Sequence, residues 1–148
     1  MITALDLERH VDIVMHRSFT EIPLFLAAAD VTVVPRPQCP GFPVKLLNYM
    51  AAGKPIVVFA GSAKGLQHLH SALLVPDHDW QALGYSMLTL LQDPALARTL
   101  GQNARRWAND HLAWPTLAEK IENVYYELLE PQAPTMLHKP IDVGSELR

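Results

Sequence analysis

The stretch CPGFPVKLLNYMAAGKPIVVFAG, residues 39–61, decides the fold. It reads as a loop, a helix from Pro43 to Ala52, a glycine stop at Gly53, and an apolar run over residues 55–60. Proline is tolerated in a first helical turn, where its missing N–H has no intrahelical acceptor to lose. Glycine just past a helix takes the left-handed conformation that closes it. Upstream, VTVVP at residues 31–35 is a second β-branched run. Both runs are too apolar for a sheet wet on one face, so they suit parallel strands covered by helices on both sides. Strand, loop, helix, strand is therefore the central unit, and ligands of such sheets sit beyond the carboxyl ends of the strands.

Working outward, Val11 to Met15 is a short strand candidate, and Thr20 to Ala29 a helix with an acid in its first turn. ALLVP at residues 72–76 offers a further strand. Asp79 to Leu91 and Pro94 to His111 read as consecutive helices, the second capped by Asp93. A last amphipathic helix from about Pro115 to Leu129 carries Leu117, Ile121, Val124, Tyr125 and Leu128 on one stripe, and is expected to lie across the sheet. The whole is an α/β domain of three layers over residues 1–130. The tail, 131–148, holds three prolines without amphipathic period and reads as extended.

Composition bounds the chemistry. The 148 residues are 49% hydrophobic and 18% charged, with a formal net charge of −3, so no general electrostatic pull draws the chain to nucleic acid. The single cysteine, Cys39, excludes an internal disulfide framework. No stretch approaches the roughly 20 apolar residues that span a bilayer, and the N-terminus lacks the basic and apolar regions of an export signal. A cytoplasmic location is the expectation.

An anion must then be held locally. The N–H groups of Val44, Lys45 and Leu46, with the positive end of the helix dipole, form a site suited to phosphate. Gly41 lets backbone approach a ligand, and Lys45 adds a charge. Every strand-to-helix loop of an α/β fold has such an N-terminus, however, and most hold nothing, so spacing alone leaves the question open. Of the seven histidines, His68, His70 and His78 are the densest group, but no cysteine or acid completes a tetrahedral set there, and no metal site is expected. Cys39 has no histidine partner in the pattern, and no GxGxxG or Walker motif is present.

In order and spacing, EIPLFLAAADVTVVP, GFPVKLLNYMAAGKPIVVFAG, ALLVPDHDWQALGYSMLTLLQDPALARTLGQNARRWA and the VYYELL ending resemble the donor-binding half of group 1 (family 4) glycosyltransferases of the GT-B fold. The resemblance covers about residues 11–130 and implies a Rossmann-like domain lacking its first strand-helix unit. It implies transfer of a glycosyl group, with retention, from a nucleoside diphosphate sugar, and no further cofactor. It also implies a missing N-terminal Rossmann domain, supplied in cis or in trans, and an exposed face that favours a homo-oligomer.

By the same resemblance Gly41, Phe42, Val44 and Lys45 meet the donor phosphates, Asn48 the ribose, and His16, Arg17 and Ser18 the base. Gly61 and Lys64 face the sugar side, and the catalytic residues are not identified. The family carries glutamates at the positions of Pro40 and Asn48; this chain carries neither. A non-catalytic binding or assembly domain of the same fold is accordingly the alternative.

Overall fold

The computed structural model describes residues 2–129. Two compact units follow each other along the chain, one ending at Ala113 and the other beginning at Trp114. The first is built on three parallel strands, β1 (Thr32–Val34), β2 (Ile56–Phe59) and β3 (Leu73–Val75), in the spatial order β1-β2-β3. Thr32 lies opposite Ile56 and Val57 opposite Leu73.

Helices α1 (Ile22–Ala28) and α2 (Val44–Ala51) flank β1 in sequence, and α3 (Trp80–Gln92) and α4 (Pro94–Leu112) follow β3. Alternation along β2 sorts the core into two clusters, because successive side chains of a strand point to opposite faces. Ile56 and Val58 pack with Val34, with Leu46 and Met50 of α2, and with Ala104 and Ala108 of α4. Val57 and Phe59 pack on the other face with Leu83 and Leu90 of α3 and Leu100 of α4. All four β2 residues are fully buried, which is the burial their unbroken apolar run requires.

Punctuation follows the sequence closely. Gly53 has φ +65°, its N–H donates to the Met50 carbonyl, and the Lys54 N–H donates to the Tyr49 carbonyl; the pair closes α2 as a Schellman motif. Asp93 Oδ1 accepts from the N–H groups of Ala95 and Leu96, capping α4 as expected. Two readings change. Val11–Met15 is not a strand: it has no ladder partner, and its residues are exposed, Ile13 to 70%. Apolar content marks a strand only where another strand meets it. Pro43 is the N-cap of α2 rather than a first-turn residue, with extended backbone (φ −70°, ψ 114°).

The second unit, described by itself, is helix α5 (Trp114–Leu129). None of its residues is buried, and Ile121, Val124, Tyr125 and Leu128 are exposed where the periodicity anticipates a covered stripe. Residues 131–148 lie outside the described residues.

Candidate functional site

Three loops leave the carboxyl ends of β1, β2 and β3, and two hydrogen bonds join them. The buried hydroxyl of Ser62 donates to the Arg36 carbonyl at 2.6 Å, tying the loop after β2 to the loop after β1. The Gly61 N–H donates to Asp77 Oδ1 at 2.9 Å, tying it to the loop after β3. A side chain at position 61 would land on the Pro37 carbonyl oxygen and against Asp77, so only glycine permits this approach. The result is a fixed ledge from which α2 departs.

At that departure the backbone has donors to spare. Leu46 N–H is not among them, contrary to the sequence reading: it donates back to the Pro43 carbonyl at 2.9 Å in a tightened first turn. The N–H groups of Val44 and Lys45 have no protein acceptor among the described residues, and no side chain caps the helix. Pro43 supplies neither a capping oxygen nor an N–H. No acid stands in the first turn to offset the positive end of the dipole. Gly41 sits beside this end at φ +76°, with open space where a side chain would be, so its conformation rather than crowding calls for glycine.

One turn along α2, Asn48 faces a groove of about 600 Å³ between α1 and α2. Phe19, Ile22 and Leu26 form one wall, and Asn48, Ala51 and Ala52 the other, with Lys54 at its margin. The Asn48 side-chain amide has no hydrogen-bond partner among the described residues, so both its donor and acceptor are free. Behind it Tyr49 is half-buried against the core, and burial pushes its phenol above the ordinary value.

The segment 16–18 immediately precedes Phe19, the first residue to line this groove. Ser18 caps the 3-10 turn Phe19–Glu21 that opens α1: its Oγ accepts from the Thr20 N–H, and its own N–H donates to Glu21 Oε2 at 2.8 Å. Arg17 pairs with the other Glu21 oxygen at 3.8 Å, largely in solvent. His16 takes positive φ, 56°, turning the chain toward Phe19. Asn48 lines the groove itself, whereas His16, Arg17 and Ser18 are exposed and are not among its lining residues. Gly61 lies on the ledge, but its N–H is spent on Asp77. Lys64, at φ 39°, precedes Gly65, where a side chain would strike the Trp107 ring.

Sequence reasoning passed over Ser62, Asp77 and Lys54. Ser62 and Asp77 act across 26 and 16 residues of chain, and no local pattern announces them. The cap falls on Ser18 rather than on Thr20, where the expected helix begins; the S-x-x-E spacing of Ser18 and Glu21, a capping box, is the signal that could have found it. His68, set aside as a metal ligand, accepts the Leu74 N–H through Nδ1 at 3.0 Å and so covers part of the edge of β3. Among the described residues no three metal-binding side chains cluster.

Three parallel strands flanked by helices, with their loops gathered at the carboxyl ends of the sheet, make this a Rossmann-like α/β domain. Within that class the family is shown: residues 1–107 match the model of glycosyl transferases group 1, and the chain belongs to this family. Its fold is the Rossmann-like half of a GT-B glycosyltransferase. It is 32% identical over 120 residues to a D-inositol 3-phosphate glycosyltransferase of Thermobispora bispora, covering 80% of this chain and 26% of that protein. It is 32% identical over 130 residues to the amylovoran biosynthesis glycosyltransferase AmsK of Erwinia amylovora, covering 80% and 32%.

Among solved structures, Anabaena Alr3699/HepE in complex with UDP superposes with a TM-score of 0.78 at 26% identity, covering 85% of this chain and 35% of that one. Sucrose-phosphate synthase from Thermosynechococcus elongatus gives 0.77 at 29%, covering 86% and 32%. The chain thus spans about a third or less of these proteins' lengths. No helix of the described residues is long and apolar enough to cross a membrane.

Proposed function

We propose that this domain binds the nucleoside diphosphate sugar of a glycosyltransferase that moves the glycosyl group, with retention, to an acceptor held by a second Rossmann domain, in cis or in trans. The observation that carries the proposal is the pair of unspent N–H groups, Val44 and Lys45, on an uncapped helix that starts from a rigid ledge. The diphosphate is the leaving group and gains negative charge as the glycosidic bond breaks. Donors fixed before the reaction stabilise that charge without reorganising.

In this reading Gly41 and Phe42 shape the approach to the phosphates, and the Lys45 ammonium adds its charge. Asn48 hydrogen-bonds the ribose, and His16, Arg17 and Ser18 border the base. Gly61 and Lys64 stand on the sugar side, Gly61 through its surface rather than its N–H. The donor is a substrate, and the reaction calls for no resident cofactor or metal.

Calorimetric titration with UDP, GDP and ADP, and then with their sugar conjugates, tests the proposal. Saturable binding of one diphosphate, with NMR shifts at Val44, Lys45 and Asn48, is the expected result. No binding across the panel by the chain joined to its companion domain overturns it. A second reading, a non-catalytic binding or assembly domain, draws on a specific observation: neither the 35–43 loop nor α2 contains an acid. That form binds the diphosphate but transfers no sugar.

A further inference from the structure

Lys54 stands where two helices end. Its backbone N–H closes α2 through the Tyr49 carbonyl, as the last member of the Schellman motif. Its ammonium donates to the Ala27 and Ala29 carbonyls, each at 3.0 Å, at the end of α1. These are carbonyls that the end of a helix leaves without an N–H donor, and a cation there meets the negative end of the dipole. The turn that carries Lys54 is itself braced: Gly101 of α4 lies so close to the Gly53 carbonyl that a side chain would strike it. Lys54 is also at the margin of the groove between α1 and α2, whose opposite walls hold Phe19 and Asn48.

We infer that Lys54 is a positioning residue for the nucleoside part of the donor. Its ammonium, spent on α1, sets the spacing between α1 and α2 and so the width of the groove that Asn48 faces, without touching the ligand. The inference rests on the proposed donor site but concerns a different part of it. The phosphate donors are at the start of α2, on the ledge, and owe nothing to α1. Loss of the Lys54 clamp therefore separates the two halves of the ligand: nucleoside recognition weakens and diphosphate recognition stays.

The test compares wild type, Lys54→Met and Lys54→Arg in the full 148-residue chain. Titrations use UDP, GDP and ADP on one side and inorganic pyrophosphate on the other, with amide exchange of α1 measured in parallel. Lys54→Met should weaken the preferred nucleoside diphosphate about tenfold. It should leave pyrophosphate affinity unchanged and speed exchange in Ile22–Ala28 relative to α2. Lys54→Arg, which keeps a donor near both carbonyls, should recover most of the loss.

Equal weakening of nucleotide and pyrophosphate would assign Lys54 a general structural role and overturn the inference. If wild type binds no nucleotide, the clamp is still decided by exchange: unchanged protection of α1 in Lys54→Met refutes it, and selective loss of protection supports it.

Discussion

Two glycines in neighbouring helices should respond oppositely to the same substitution, and the difference measures how closely α4 is fitted to the turn that carries Lys54. Alanine is favoured over glycine inside a helix by about 1 kcal/mol. Gly84 of α3 has no atom within 4 Å of where a side chain would begin, so Gly84→Ala should realise most of that gain. Gly101 of α4 gains the same propensity but meets backbone on the other side. Its methyl would land on the Gly53 carbonyl oxygen, with the Lys54 carbonyl carbon at 3.1 Å. Backbone held by a Schellman motif and a buried strand start cannot rotate aside, so the cost falls at the upper end of the 1–3 kcal/mol typical of overpacking.

The balance for Gly101→Ala is a net loss of about 2 kcal/mol after the propensity gain is subtracted. At roughly 4 °C per kcal/mol for a unit of this size, Gly84→Ala should melt up to about 4 °C higher and Gly101→Ala about 8 °C lower. Thermal unfolding followed by far-ultraviolet circular dichroism, with urea midpoints as a check, reads both. A Gly101→Ala protein as stable as Gly84→Ala would refute the reasoning, because it would show that α4 can move off the turn at no cost.

Three further outcomes are expected. Ser62→Ala removes a buried hydroxyl and leaves the Arg36 carbonyl short of a donor, which should cost about 1–2 kcal/mol in urea denaturation and shift the NMR signals of residues 36–39. Tyr49 gives a pH dependence: burial raises its pKa, so its contribution to stability is complete below the ordinary value near 10 and declines as the unfolded chain ionises above it. The urea midpoint of wild type should therefore fall more steeply than that of Tyr49→Phe between about pH 9 and 11, and parallel curves would remove Tyr49 from the account. Asn48→Glu should tighten UDP, GDP or ADP binding about tenfold by supplying a charged acceptor to the ribose hydroxyls; unchanged affinity would show that Asn48 does not meet the ribose.

What the sequence made legible depended on the range of the interaction behind each feature. The runs at 31–35, 55–60 and 72–76 became strands because their apolar content has one cause, burial on both faces, and that cause leaves a local pattern. Gly53 and Asp93 were legible for the same reason, since each satisfies backbone groups within a few residues of itself. Val11–Met15 shows the limit, since a similar run without a partner strand remains exposed chain. The ledge lay beyond local reading: Gly61, Ser62 and Asp77 are ordinary turn residues until the sheet sets their loops side by side. Lys54 went unread because its role needs the end of α1, 25 residues upstream in the chain.

That distinction also bears on the two places where the family resemblance calls for glutamate and this chain has Pro40 and Asn48. The backbone N–H groups proposed to hold the phosphates belong to the start of α2 after Pro43, and these donors persist whatever side chains stand at positions 40 and 48. Ribose and sugar subsites made of side chains have no such insurance. On the proposed reading the diphosphate is the part of the donor this domain should hold best, and the ribose is held by a neutral amide in place of a carboxylate. Proline at position 40 offers the sugar no side-chain hydrogen bond at all. On that reading diphosphate binding and sugar transfer are separable: a nucleoside diphosphate should bind nearly as tightly as its sugar conjugate, because the added sugar finds no carboxylate at position 40. A conjugate that binds more than about tenfold tighter than its diphosphate would mean that another residue has taken over the sugar, and would restore the case for transfer.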